Sequence, residues 1–182
     1  PVRAALGRLD IRVRPMPARG AAQAASFVLG RARAGRRAAY LACGDPLFLD
    51  EAGQRLKAAC EQESFPLRVC HGVSSLEPLL GLLPAGSLQD GGLFLCVPSA
   101  AGALSASVPA LVFLLGTDRR RRYALDCIRR KYPPAHVVEL LLCSFGDPPG
   151  VKRRRVRVDG LARLIRGEMR GATLYIPALD HA

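Results

Sequence analysis

Two short stretches of this 182-residue chain combine residue types that bring backbone close to a ligand. The first is Ala38-Ala-Tyr-Leu-Ala-Cys-Gly-Asp-Pro-Leu-Phe48, and the second is Val69-Cys-His-Gly-Val-Ser-Ser-Leu-Glu77. In each, an apolar run enters a loop of small residues, Gly44-Asp45-Pro46 or Gly72-Val73-Ser74-Ser75, and a helical pattern follows. Glycine permits close approach because it carries no Cβ. Two strand–loop–helix units in tandem imply parallel strands whose C-terminal ends carry neighbouring loops. In open α/β sheets that edge is where ligands bind. The plain alternative for the first loop is a helix start, with Asp45 as N-cap and Pro46 at the first helical position. A second small-residue loop at the next junction favours binding.

His71 is the only histidine beside these loops. Its imidazole is suited to act as a base or to contact substrate, although a lone histidine in such a place is more often structural. No other catalytic constellation stands out, and the catalytic residue is otherwise unknown. Cys43, Cys70 and His71 could share one sheet edge, but their spacing matches no metal-ligand pattern, so no metal is expected. The six cysteines form no CxxC pair. Free thiols in a reducing compartment fit that usage.

The elements that must position the loops are readable from periodicity. Ala18–Ala34 has a helical pattern closed by Gly35. Arg37–Ala42 and Pro66–Cys70 read as strands, Leu47–Gln62 and Ser74–Leu83 as helices. The second of these helices starts with a Ser74/Glu77 capping-box spacing. Pro84–Gly92 is turn-rich and marks the candidate boundary. Beyond it, Leu93–Val97 and Leu111–Leu115 read as strands, Asp118–Lys131 as a helix, and Val137–Cys143 as a strong strand. Gly146–Gly150 reads as a turn, Arg155–Val158 as a half-exposed antiparallel strand, Leu161–Arg166 as a short helix and Ala172–Ile176 as a closing strand.

Hydrophobic residues make up 49% of the chain, enough for a substantial core. No run approaches the ~20 apolar residues of a membrane span, and no leader pattern opens the sequence; a cytoplasmic location is expected. Basic residues outnumber acidic ones 27 to 15, a net charge of +12. Such a balance suits anionic partners. Almost all of the basic residues are arginines, however, a bias that codon usage in a GC-rich genome accounts for. The runs Arg119–Arg122 and Arg153–Arg155 leave nucleic acid as a partner that is not favoured.

The pair of loops resembles those of the tetrapyrrole (corrin/porphyrin) methylase superfamily. The family's Gly-Gly-Asp-Pro-Phe-type loop falls on Cys43, Gly44, Asp45, Pro46 and Leu47, with Phe48 next. Its Pro-Gly-(Ile/Val)-(Thr/Ser)-(Ala/Ser) loop falls on His71, Gly72, Val73, Ser74 and Ser75. Leu111-Val-Phe-Leu-Leu-Gly116 matches the strand that lines the adenosine pocket, and Thr173-Leu-Tyr-Ile-Pro177 looks like the closing strand. The resemblance runs from about Ala18 to the end. Cys43 replaces a common Gly and His71 the usual Pro, and the family's opening strand and Gly-rich turn have no counterpart here.

That resemblance implies an α/β, two-lobed tetrapyrrole-methylase-like fold with a parallel sheet in the first lobe and a mixed sheet in the second. The lobes are expected at 1–88 and 89–182. It implies a methyltransferase that uses S-adenosylmethionine, held in the cleft between lobes by Cys43, Gly44, Asp45, Phe48, Ser74, Ser75 and Leu115. Positioning supplies much of the rate in methyl transfer, so no dedicated acid or base is demanded. The acceptor would be a tetrapyrrole-like small molecule or a peptide, and a homodimer is expected. Alternatives within the fold are peptide-backbone N-methylation and rRNA methylation. Outside it stands a non-catalytic relative that binds a partner through its basic surface.

Overall fold

The computed structural model describes residues 20–42, 44–84, 92–114, 117–144, 150–166 and 172–179. The chain divides into two compact units, Pro1–Ser74 and Ser75–Ala182. The turn-rich segment expected at the boundary is largely outside the described residues, as are residues 1–19 and most of the turn at 146–150.

In the first unit, helix α1 (Ala21–Arg33) packs on helix α2 (Glu51–Gln62). Ala25 and Leu29 stand one turn apart on α1, as Leu56 and Cys60 do on α2, and the four form one buried cluster. Val28, Tyr40, Ala59 and Phe65 close over it. Truncating Leu56 to Ala there would cost about 2–5 kcal/mol. Helix α1 ends as the sequence suggests: Gly35 takes φ +70°, and the N–H groups of Gly35 and Arg36 donate to the carbonyls of Ala32 and Arg31. That pair of bonds is a Schellman closure, which favours glycine at this position.

Two expectations for this unit need correction. Helix α2 begins at Glu51 rather than Leu47, because its N-cap is Asp50, whose carboxylate accepts the Gly53 N–H at 2.8 Å. Asp45 is therefore not a helix cap. The segments Arg37–Ala42 and Pro66–Cys70, expected as paired parallel strands, run without ladder partners among the described residues. A strand exists only when a neighbour satisfies its backbone groups. Here Leu41 and Leu67 remain exposed, and each segment flanks a cavity instead.

The second unit opens with helix α3 (Leu76–Leu80), whose N-cap is Ser75. It carries a five-stranded mixed sheet of order β1-β2-β5-β3-β4. The strands are β1 (Phe94–Cys96), β2 (Ala110–Phe113), β3 (Val137–Ser144), β4 (Gly150–Arg157) and β5 (Thr173–Ile176). Among the described residues only β1 and β2 pair in parallel; the other neighbours are antiparallel. Every residue of β2 and β5 is buried, as their near-continuous apolar sequences require. Helix α4 (Asp118–Lys131), capped by the Thr117 hydroxyl accepting from Arg120 N–H, lays Ala124, Leu125 and Ile128 into this core. Val112, Val138, Leu140, Leu174 and Ile176 form the sheet side of the same cluster. Short 3-10 segments, Pro98–Ala103 and Val158–Arg166, complete it. Strand β4 is the arginine-rich antiparallel strand read from sequence, with Val151 and Val156 half-buried among charged neighbours.

Candidate functional site

Both loops singled out in the sequence come together in the first unit, backbone against backbone. Gly44 has φ +100°, a conformation that L side chains rarely adopt, and a Cβ there would meet the Val73 carbonyl oxygen at 3.4 Å. The approach is tighter from the other side. A Cβ on Gly72 would stand 2.7 Å from the Gly44 carbonyl oxygen. Glycine is thus required at both positions for a physical reason, and the two loops form one cradle.

Asp45 and His71 lock that cradle. One carboxylate oxygen of Asp45 accepts the Leu47 backbone N–H at 2.8 Å, a turn two residues long. The other is 2.7 Å from His71 Nδ1. The Leu47 N–H, and after it the His71 contact, hold the Asp45 carboxyl below the usual carboxylate range. Its side chain is 14% exposed, whereas that of His71 is 68% exposed. Asp45 thus faces inward as an anion while the imidazole reaches outward. A carboxylate partner on Nδ1 fixes both ring orientation and tautomer.

Beside the cradle lies a cavity of about 440 Å³. Leu29, Leu41, Leu56, Phe65 and Val69 give it apolar walls, and Gly44 and Cys70 bring it up to the two loops. Small-molecule sites commonly span ~300–1,000 Å³ and are lined mainly by apolar groups. Tyr40 donates its hydroxyl to Asp50 at 2.9 Å, which ties the cavity wall to the start of α2. Burial, with the Asp50 carboxylate second, pushes the Tyr40 hydroxyl up to about 12, so it remains a donor at neutral pH.

Other solved structures share the fold. No family model matches the sequence, and no curated protein matches it. Uroporphyrin-III-C-methyltransferase from Thermus thermophilus superposes with a TM-score of 0.60 at 24% identity, over 85% of this chain and 70% of its own. The Thermus enzyme complexed with S-adenosyl homocysteine gives 0.59 at 21% identity, over 84% and 70%. The methyltransferase CobJ gives 0.61 at 16% identity, over 97% and 87%. The fold is that of the tetrapyrrole methylases.

Within this tetrapyrrole methylase fold the sequence-based site residues have the following places. Gly44 and Asp45 stand in the cradle, and Phe48 is half-buried just beyond it. Ser74 is buried at 7% exposure, at the end of the second loop, and Ser75 follows it as the N-cap of α3. Cys43 and Leu115 lie outside the described residues. Cys70 is exposed and free, and no group of three or more His, Cys, Asp or Glu side chains able to hold a metal occurs among the described residues. Sequence reasoning did not single out Gly72 as a contact residue, nor the Asp45–His71 pair. The signal for Gly72 was its place in the second loop, and that for the pair was the juxtaposition of the loops.

Proposed function

We propose that this protein is an S-adenosylmethionine-dependent methyltransferase of the tetrapyrrole methylase type. The observation that carries the reading is the close approach of Gly44 and Gly72, which brings the two loops together backbone against backbone. It is supported by the shared fold, one example of which is a complex with S-adenosyl homocysteine. Gly44, Asp45, Phe48 and Ser74 would hold the cofactor, together with Cys43, Ser75 and Leu115. When bound, it supplies an electrophilic methyl group on a sulfonium sulfur.

The chain's own residues do the positioning. The glycine pair lets the two loops pack together, and Asp45 fixes the first loop through Leu47. Apolar side chains line much of the neighbouring cavity. Such positioning accounts for much of the rate of a group transfer. The acceptor in this reading is a tetrapyrrole-like small molecule. Isothermal titration with S-adenosyl homocysteine tests the reading, with saturable binding as the expected result. Absence of binding at millimolar ligand overturns it. No helix of the described residues is long and apolar enough to cross a membrane.

A further inference from the structure

We propose that the cavity of the first unit is a slot for an inserted β-strand, filled in the natural protein by an apolar, acid-bearing segment that lies outside these 182 residues. The proposal goes beyond the methyltransferase reading and does not depend on it.

The walls of the cavity carry the argument. Residues 38–42 and 66–70 run without helix, turn or bend, and every one of them lines the same space. Successive side chains of a straight segment point to opposite faces. A pocket on one face would therefore be lined by alternate residues. A pocket lined by each residue in turn lies along the backbone edge, where N–H and C=O groups project. Among the described residues neither segment has a ladder partner or another backbone hydrogen bond. Backbone groups taken out of water need partners. An apolar small molecule supplies none, whereas an added strand supplies both donors and acceptors in register. Pro66, which has no N–H, stands at the first residue of its segment, a place where a sheet tolerates proline.

The chemistry of the slot defines its occupant. The helices contribute Leu29, Leu56 and Cys60 to the lining, while Leu41 and Leu67 remain 60% and 41% exposed. A strand between these groups must be apolar, as the inner strands of parallel sheets are. The 182 residues contain unbroken apolar runs of five or more at 38–43, 93–97 and 110–115 only. The first is a wall of the slot, and the other two run through β1 and β2. None is left to fill the slot, in this chain or in a second copy. Charge adds a requirement. Arg68 lines the slot and Arg37 stands at its margin, both without an ion pair among the described residues, so a carboxylate on the inserted segment complements them. The matched part of the Thermus enzyme is 70% of its chain, so the fold accommodates further polypeptide. A segment joined to the chain also escapes the association cost that a short free strand would bear.

Amide hydrogen exchange, read by NMR on the 182-residue chain and on the natural protein, tests this. Alternate amides along 39–42 and 67–70 should exchange freely in the 182-residue chain and about a hundredfold or more slowly in the natural protein. A segment outside the 182 residues should gain matching protection, and its sequence should be an apolar run with an acidic residue. Free exchange in the natural protein, or protection already present in the 182-residue chain, would overturn the proposal. So would protection that S-adenosyl homocysteine alone confers on the 182-residue chain, which would make the cavity a small-molecule pocket. Protection that needs a separable second protein would overturn the assignment of the strand to this chain. Calorimetric binding of S-adenosyl homocysteine decides the methyltransferase reading separately, because neither of its outcomes alters the exchange pattern expected here.

Discussion

The Gly72 α-carbon sits so close to the Gly44 carbonyl that a single added methyl would stand 2.7 Å from the oxygen. Both partners in that clash are backbone, so neither can swing aside as a long side chain would. Gly72→Ala should force the loops apart and abolish binding of S-adenosyl homocysteine. The strain is local, and overpacking of this kind costs about 1–3 kcal/mol. A folded variant with unchanged affinity, by calorimetry and circular dichroism, would show that the loop contact does not shape the ligand site.

Gly53 and Gly30 make a matched pair for testing how tightly the first unit is packed. Both lie inside helices, where replacing glycine by alanine ordinarily gains about 1 kcal/mol. At Gly30 nothing lies within 4 Å of the added Cβ, so Gly30→Ala should raise the melting temperature. At Gly53 the Cβ would fall 1.9 Å from the Pro46 carbonyl oxygen. The start of α2 would have to move off the first loop, and Gly53→Ala should lower the melting temperature despite its helix propensity. Thermal unfolding of the two variants should therefore shift in opposite directions; a gain in both would show the Pro46 contact to be slack.

How much of this was legible beforehand differs between the units. In the second, the strands are short apolar runs bounded by turn residues, and the Asp118–Lys131 helix has its cap, amphipathic face and basic last turn all in register. Local and global signals agree there. In the first unit they do not. Arg37–Ala42 and Pro66–Cys70 have strand-like sequences, but pairing depends on a neighbour that no local pattern reveals. Asp45-Pro46 has the composition of a helix start, yet so does Asp50, and the carboxylate of Asp45 is taken by Leu47 and His71. The tandem loops were legible as a candidate site. The Asp45–His71 contact was not, because the two residues are 26 positions apart and meet only when the loops do.

Glu139 offers a pH-dependent test of the second unit. It is buried on β3, where it accepts from Arg153 Nε at 2.6 Å and Arg155 Nε at 3.2 Å across the ladder to β4. The Arg153 hydrogen bond above all, with Arg155 adding to it, holds its carboxyl below the usual range against the opposing effect of burial. A carboxylate depressed in the folded state stabilises fully above the unfolded glutamate value of about 4.3. The stabilisation fades as pH falls through the lower folded value. Glu139→Gln should accordingly be less stable than the unaltered protein at pH 7, and the gap should close on acidification below about 4.3. Melting curves at a series of pH values check this; a gap independent of pH would assign the loss to packing alone.

The basic surface makes its own prediction, because the structure removes several arginines from consideration. Arg121 is buried and paired with Asp118, while Arg153 and Arg155 are held by Glu139. Arg119, Arg120 and Arg122 remain on the exposed face of α4. Sequence-selective RNA binding needs aromatic platforms as well as charge. Of the tyrosines near this run, Tyr123 is exposed, but Tyr132 is 2% exposed and its hydroxyl is tied to the Ser105 carbonyl. One exposed ring beside three arginines can hold phosphates without reading bases. RNA affinity should therefore be weak, equal for oligoadenylate and oligouridylate, and steeply salt-dependent. Replacing Arg119, Arg120 and Arg122 by Gln should flatten the log–log salt slope by about 2, from roughly 0.7 per phosphate contact on a single strand. Fluorescence anisotropy between 50 and 200 mM salt reads both quantities, a range over which phosphate contacts weaken by orders of magnitude, about 10³ or more for a large set. A tight complex with one sequence that survives physiological salt would make nucleic acid the substrate and displace the small-molecule acceptor.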